Sequence, residues 1–174
     1  MKRPTPIDEE IQLDPKRYLV SRTDKHGVID FANDYFVEIS GYSKEELIGK
    51  PHSLIRHPDM PKIIFKIMWD HIQKGQNLLA LVKNLAKDGR YYWVFTTFEP
   101  QVDTDTGEIF GYKASRKAAP KDAVAVIDPL YKKLVELEKE GGMEASLKYL
   151  NDFMKETDPN LEIEDLMDNI HKFY

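Results

Sequence analysis

The apolar positions of this chain change their period several times, and each change marks an element. "RYLVSRTD" and "GVIDFAN" alternate moderately on either side of a "DKHG" turn framed by Asp24 and Gly27, which predicts a short antiparallel hairpin. From Asn33 the period lengthens. Phe36, Ile39 and Tyr42 share one helical face, Gly41 stops it, and "SKEELIGK" restarts it with Ser43 and Glu46 spaced as a capping box before Gly49. Two very short helices follow, too short to be stable alone and therefore dependent on tertiary packing. Residues 59–73, "DMPKIIFKIMWDHIQ", carry the clearest helical stripe, with Ile64, Phe65, Met68, Trp69 and Ile72 at steps of three and four. Asp59 is its expected cap, Pro61 sits in its first turn and Gly75 ends it.

Residues 77–86, 90–99 and 108–115 then read as strands. The Asp88-Gly89 turn inside "KDGRYYWVFTTFEP" is a strong hairpin signal, and "DTDTGEIFGYKASR" repeats it with a longer loop. Three meandering strands plus the first hairpin complete a five-stranded antiparallel sheet. Beyond Ala118 helical periods return. "APKDAVAVIDPLYKKLVELEKEG" sets Val126, Leu130, Leu134 and Leu137 on one side, with Pro129 as a point of interruption. "GMEASLKYLNDFMKE" and "NLEIEDLMDNIHKF" follow as two more amphipathic helices separated by "TDPN". The expected organisation is an N-terminal cap or arm over residues 1–14, an α+β sensor-like core over 15–118, and a C-terminal helical extension over 119–174. Residues 142–174 of the extension are expected to serve as a packing lid, a dimerisation element or a docking surface.

Composition narrows the chemistry. A chain of 174 residues can bury a core without crosslinks, and with no cysteine it has no disulfide, thiolate nucleophile, cysteine-ligated cluster or photochemistry through a cysteinyl adduct. No apolar run reaches the ~18 residues of a membrane span and none marks a secretory leader, so a cytoplasmic location is expected. The formal charge is −5, and Lys113, Arg116, Lys117 and Lys121 form the one local basic concentration, which argues against a nucleic-acid partner. Neither a Walker A loop nor a dinucleotide-binding glycine fingerprint occurs.

The conspicuous polar segment is "PHSLIRHPDM", residues 51–60. His52 and His57 lack the spacing and further donors of a zinc site, and as an acid/base pair they lack a nucleophile. A plain helix start with charged flanks is one reading. Another is a cofactor rim, since Arg56 and His57 stand before a helix N-terminus, an environment suited to the carbonyls or phosphate tail of a flavin. Asn33, Asn84, Trp69 and Trp93 join them as candidates, each with a plain alternative: a helix cap, an edge-strand amide, and two core indoles. His52 is expected to be a local packing or capping residue. Short helices and this polar knot beside one face of a sheet suit a pocket.

"NDYFVEISGYSKEELIGKPH", "IRHPDMP", "MWDHIQKG" and "VKNLAKDGRYYWV" together resemble the PAS fold, and specifically the flavin-binding PAS domains of Aer-type aerotaxis receptors and of stand-alone PAS proteins in bipartite energy-taxis systems. The resemblance runs from about Leu19 to Tyr131; the "F-x-x-I-S-G-Y" opening is common to many PAS domains, whereas "PHSLIRHPDMP" is specific. It implies a non-enzymatic redox sensor holding FAD non-covalently and signalling by protein contact to a membrane chemoreceptor or its cytoplasmic signalling domain, with a homodimer as a further expectation. It assigns Arg56, His57 and Asp59 to holding FAD, links Trp69 and Asn84 to the flavin site, and gives Asn33 a supporting role. Leu78 and Leu79 stand where the family often has an aromatic, and the receptors' membrane segment and methyl-accepting module are not among these 174 residues, as expected either of a fragment or of a bipartite system's PAS protein. A haem-binding sensor using His52, His57 or His71, and a ligand-free PAS dimerisation or docking module, are the alternatives.

Overall fold

The five strands form one antiparallel sheet with the order β2-β1-β5-β4-β3, comprising β1 (Leu19–Asp24), β2 (Ile29–Ala32), β3 (Leu78–Leu85), β4 (Tyr91–Val102) and β5 (Ile109–Ala118). Every neighbouring pair is antiparallel, so β5, last in sequence, lies at the centre of the sheet. These features come from a computed structural model that describes residues 2–162, 165 and 166. The expected α+β class and five-stranded sheet are both present. β4 and β5 run further than their residue types suggested, because they pair with each other from Val94↔Ala118 to Val102↔Ile109, carrying β4 past Pro100 and a bulge.

The connection from β2 to β3 holds the short helices α1 (Asp34–Ser40) and α2 (Lys44–Leu47), a single 3-10 turn at His52–Ile55, and α3 (Lys62–Ile72). Asn33 caps α1, Gly41 closes it at φ 76°, and Ser43 and Glu46 form the expected capping box on α2. What holds such short helices is burial: Phe36, Tyr42, Leu47 and Ile55 are almost completely enclosed, each contributing roughly 1.5–3 kcal/mol. Asp59 does not cap α3 as expected. Pro61 occupies the N-cap position without a side-chain bond, and the first amides are met instead by Glu138.

Edge strand β3 is covered rather than left open. The Lys83 amide donates to Met60 Sδ at 3.3 Å, the Leu81 carbonyl accepts from the Tyr131 hydroxyl at 2.8 Å, and Arg56 bridges to Asn84. The N-terminal arm docks across the start of β4. The Ile7 amide donates to the Gly89 carbonyl at 2.9 Å, and Tyr91 exchanges bonds with Glu9 and Ile11. Gly89 (φ 94°) is required twice over, since a Cβ there would lie 2.3 Å from the Thr5 carbonyl oxygen.

The C-terminal helix α4 (Lys121–Thr157) continues through Pro129, where an interruption was expected, and breaks at Gly142 (φ 72°, ψ −170°), the boundary expected between the first two C-terminal helices. Glu138 meets Ser146, and Lys133 lies 6.0 Å from the Tyr149 ring, so segments 121–141 and 143–157 fold back antiparallel as a hairpin. The hairpin belongs to the core, with Ile127, Leu134, Leu150 and Met154 at most 1% exposed. The further helix expected over "NLEIEDLMDNIHKF" falls largely outside the described residues, of which Leu161 and Leu166 are buried. Among the described residues no helix is long and apolar enough to cross a membrane.

Candidate ligand pocket

A cavity of about 450 Å³ lies between the sheet and the β2–β3 connection, within the size range of small-molecule sites. Strand alternation selects its sheet wall: Val82 and Asn84 from β3, Thr96 and Phe98 from β4, and Tyr112, Ala114 and Arg116 from β5. The facing wall is mostly apolar, with Ile55 and, from α3, Phe65, Met68, Trp69 and Ile72.

The polar groups among these apolar walls are short of partners. Arg56 Nε, Asn84 Nδ2, Thr96 Oγ1 and Arg116 Nη1 are all buried without a hydrogen bond, and all four residues line the cavity. A buried donor left unpaired costs roughly 1–3 kcal/mol, so this wall fits a ligand rich in acceptors.

Arg116 is the most constrained of them. It is 2% exposed, its Nη2 donates to Ser21 Oγ at 3.0 Å and lies 2.6 Å from His52 Nε2, and its guanidinium sits over the Phe36 ring. No ion pair among the described residues involves it. Burial lowers its pKa to about 10. The same cluster fixes His52: burial first, then the neighbouring Arg116 charge, push its pKa down to about 3, leaving a neutral ring whose Nε2 accepts. His52 is therefore the acceptor that seats a buried cation on the cavity wall, a role beyond the local packing expected of it.

The R-H-P-D segment divides at the edge of β3. Arg56 turns to the cavity and stacks on Phe65 at 3.7 Å, and its carbonyl accepts from Arg3 of the arm. His57, expected to face the cofactor, and Asp59, assigned by the resemblance to holding it, do not line the cavity. His57 Nδ1 accepts from the Asp59 amide at 3.0 Å and its ring stands edge-on to Tyr91. Burial, reinforced by the nearby Lys83 charge, holds this imidazole below its ordinary pKa. Asp59 Oδ2 pairs with Lys83 Nζ at 2.8 Å; burial raises its pKa, but the Lys83 bond and charge outweigh that and hold the carboxyl below the usual range. The physical reason for the split is the edge strand itself, which the segment crosses to reach α3.

Of the remaining candidates, Asn84 and Trp69 line the cavity, Trp69 with its ring 5.3 Å from Tyr112. Asn33 does not. Its Oδ1 accepts from the Phe36 and Val20 amides and its Nδ2 donates to the Tyr18 carbonyl, stitching α1 to β1. Trp93 points the other way, out of phase with Thr96 and Phe98, and packs 6.1 Å from Tyr131. Of the three histidines named as haem candidates, His57 and His71 do not line the cavity and His52 Nε2 is already engaged, while His26 of the β1–β2 turn lies on its rim. The residues that sequence reasoning did not single out for the site are Arg116, Ser21 and Thr96, while His52 was weighed and expected only to pack or cap locally. For Arg116 the signal was present, since it is in phase with Tyr112 and Ala114 on a central strand.

The model for the PAS fold matches residues 29–115. The aerotaxis receptor of Escherichia coli (strain K12) is 45% identical over 116 residues, 67% of this chain and 22% of the receptor. Biofilm dispersion protein BdlA of Pseudomonas aeruginosa is 28% identical over 81 residues, 46% of this chain and 19% of that protein. The chain thus spans about a fifth of the length of these relatives. Among solved structures, the light state of the blue-light photoreceptor Aureochrome1 LOV superposes with a TM-score of 0.56 at 21% identity, covering 70% of this chain and 91% of the other. With its five-stranded antiparallel sheet and run of short helices, the chain belongs to the PAS-fold family and is related to the aerotaxis receptor.

Proposed function

We propose that the cavity holds a flavin non-covalently, as FAD, and that the chain reports its redox state by contact with a chemoreceptor-type signalling partner. The observation that carries the reading is Arg116, a buried guanidinium on the cavity wall with only neutral acceptors and one Nη atom unpaired. A cation so placed favours a ligand with electron-rich oxygens or negative charge. Asn84 and Thr96 add donors on the same wall, Arg56 adds one at the edge, and Ile55, Phe65, Met68 and Phe98 supply apolar faces for a flat ring. A bound flavin supplies reversible electron uptake at a carbonyl-bearing ring. Arg116 and Asn84 would hold such a ring by donating to its electron-rich atoms, and would bind it more strongly in the more electron-rich state. FAD is the form implied by the resemblance to aerotaxis receptors, and the taxis partner follows from the same similarity.

The test is the visible spectrum of the purified chain, alone and after incubation with FAD. Flavin bands near ~450 nm that bleach on reduction are expected, and a chain that stays colourless after reconstitution discards the cofactor. A Soret band would assign haem instead. Co-purification with a chemoreceptor signalling domain, compared between oxidised and reduced protein, tests the signalling half; equal recovery in both states discards it.

A further inference from the structure

Helix α3, which forms one wall of the cavity, has no cap of its own. Pro61 offers no side-chain acceptor and the first turn carries no acid, so its leading amides need a partner from elsewhere. That partner lies 76 residues further along. Glu138 of α4 accepts from the Lys62 amide through Oε2 at 2.9 Å and from the Ile63 amide through Oε1 at 2.9 Å. The Ser146 hydroxyl lies 3.2 Å from the same Oε1 and 3.0 Å from the Met143 carbonyl, so its one proton is shared between the two, and Ser146 is fully buried on the returning segment of the hairpin. One carboxylate thus joins the start of α3 to both segments of the C-terminal hairpin. An anionic acceptor at a helix N-terminus is the favourable sign for the helix dipole, and its bonds are charge-assisted.

We infer that Glu138 is a positioning residue for the pocket, making the docking of the C-terminal hairpin and the closure of the α3 wall one linked equilibrium. The contacts run without a gap from Ser146 to Glu138, to the Lys62 and Ile63 amides, and within the next turn to Phe65, on which the Arg56 guanidinium stacks at the cavity. The hairpin lies beyond residues 29–115, so the clasp ties the matched fold to a segment outside it. When the hairpin leaves, two leading amides of α3 lose their acceptor and the wall frays from its first turn. Because linkage is reciprocal, a ligand that orders α3 tightens the hairpin by the same factor. This second consequence rests on the ligand reading above; the capping itself does not.

Hydrogen exchange on the whole chain tests both parts. In the ligand-free protein each lost charge-assisted bond opens the turn by about tenfold. Amides at residues 62–66 are therefore expected to exchange about tenfold faster in Glu138→Gln, which keeps one acceptor, and about a hundredfold faster in Glu138→Ala. Residues 143–157 are expected to loosen in parallel while β4 and β5 stay unchanged. Adding FAD is expected to slow exchange over 143–157 in the wild type and to lose that effect in Glu138→Ala, from which FAD also dissociates faster. Unchanged exchange in α3, an increase spread equally over β4 and β5, or FAD protection of 143–157 that survives Glu138→Ala would each overturn the inference. A chain that takes up no FAD discards the flavin reading, and the ligand-free comparison still decides the clasp.

Discussion

Replacing Arg116 with methionine separates a ligand-binding arginine from a structural one, because the two roles predict opposite changes in the ligand-free protein. Burial lowers the guanidinium pKa from 12.5 to about 10. At about 1.4 kcal/mol per tenfold change in proton affinity, keeping this charge in its site costs about 3 kcal/mol. Methionine removes that cost together with the bonds to Ser21 and His52, each contributing about 1 kcal/mol. Ser21 Oγ and His52 Nε2 lie 3.0 Å apart and can pair with each other, so the substitution leaves no orphaned partner. The vacated volume opens onto the existing cavity rather than forming a sealed void. The balance is a ligand-free variant about 1 kcal/mol more stable than the wild type, a rise of about 0.5 M in the urea midpoint for a slope of about 2 kcal/mol/M. FAD affinity is expected to fall about a hundredfold, the ~2–3 kcal/mol of a charge-assisted bond in an enclosed site. Urea unfolding followed by far-UV circular dichroism and an FAD titration followed by flavin fluorescence measure the two quantities. A variant that is less stable without ligand, and whose FAD affinity stays within about threefold of the wild type, would refute the reasoning and return Arg116 to the scaffold.

The two perturbed histidines give a pH dependence of definite sign. Both have a pKa lowered in the folded chain, whereas the unfolded chain takes up protons near pH 6.5, so stability falls as pH drops below that value; His52, with its folded pKa near 3, accounts for about 2 kcal/mol by pH 5. Urea midpoints at pH 6.5 and 5 should converge in His52→Gln, and an unchanged slope would be the contrary result. The two tryptophans should separate by face. Trp93→Phe costs about 1 kcal/mol of stability and leaves FAD affinity alone, while Trp69→Phe alters FAD affinity with little loss of stability, and the reverse pattern would contradict the faces assigned to them. Gly89→Ala combines a left-handed backbone with a clash against Thr5, so the arm should release and trypsin should cut after Lys16 or Arg17 faster than in the wild type; unchanged digestion would show that the arm docks without that close approach.

The strands, the two short helices and their caps were legible because their causes are local. A capping box needs only Ser43 and Glu46, a tight turn needs only Asp88 and Gly89, and alternation is read within one strand. The cap of α3 was not legible. Asp59 is the nearest acid and the obvious choice, yet its carboxylate is taken by Lys83, and the acceptor that replaces it comes from a helix on the far side of the sequence. Pro129 misled for a related reason, although the boundary at Gly142 was read from the sequence. Pro129 forfeits one amide that a well-packed helix can do without, whereas Gly142 adopts a left-handed φ that no helical residue shares.

The pocket makes the same distinction more sharply. "RHPD" draws the eye because four chemically capable residues are adjacent, but adjacency in a segment that crosses an edge strand guarantees separation. Arg56 falls on the cavity side, while His57 and Asp59 fall with Lys83 and Tyr91 on the other. Arg116, by contrast, stands among lysines in a stretch that reads as a solvated basic patch. Its phase tells against that reading, since it shares parity with Tyr112 and Ala114 on the central strand, and Lys113 and Lys117 do not. Parity on a buried strand is a stronger constraint than clustering in a loop, because a sheet fixes side-chain direction every second residue and a loop fixes nothing. A charged residue caught on the inward parity must be paired, neutralised or supplied with a ligand. Here Ser21 and His52 meet only part of the demand, and the part left over faces the cavity.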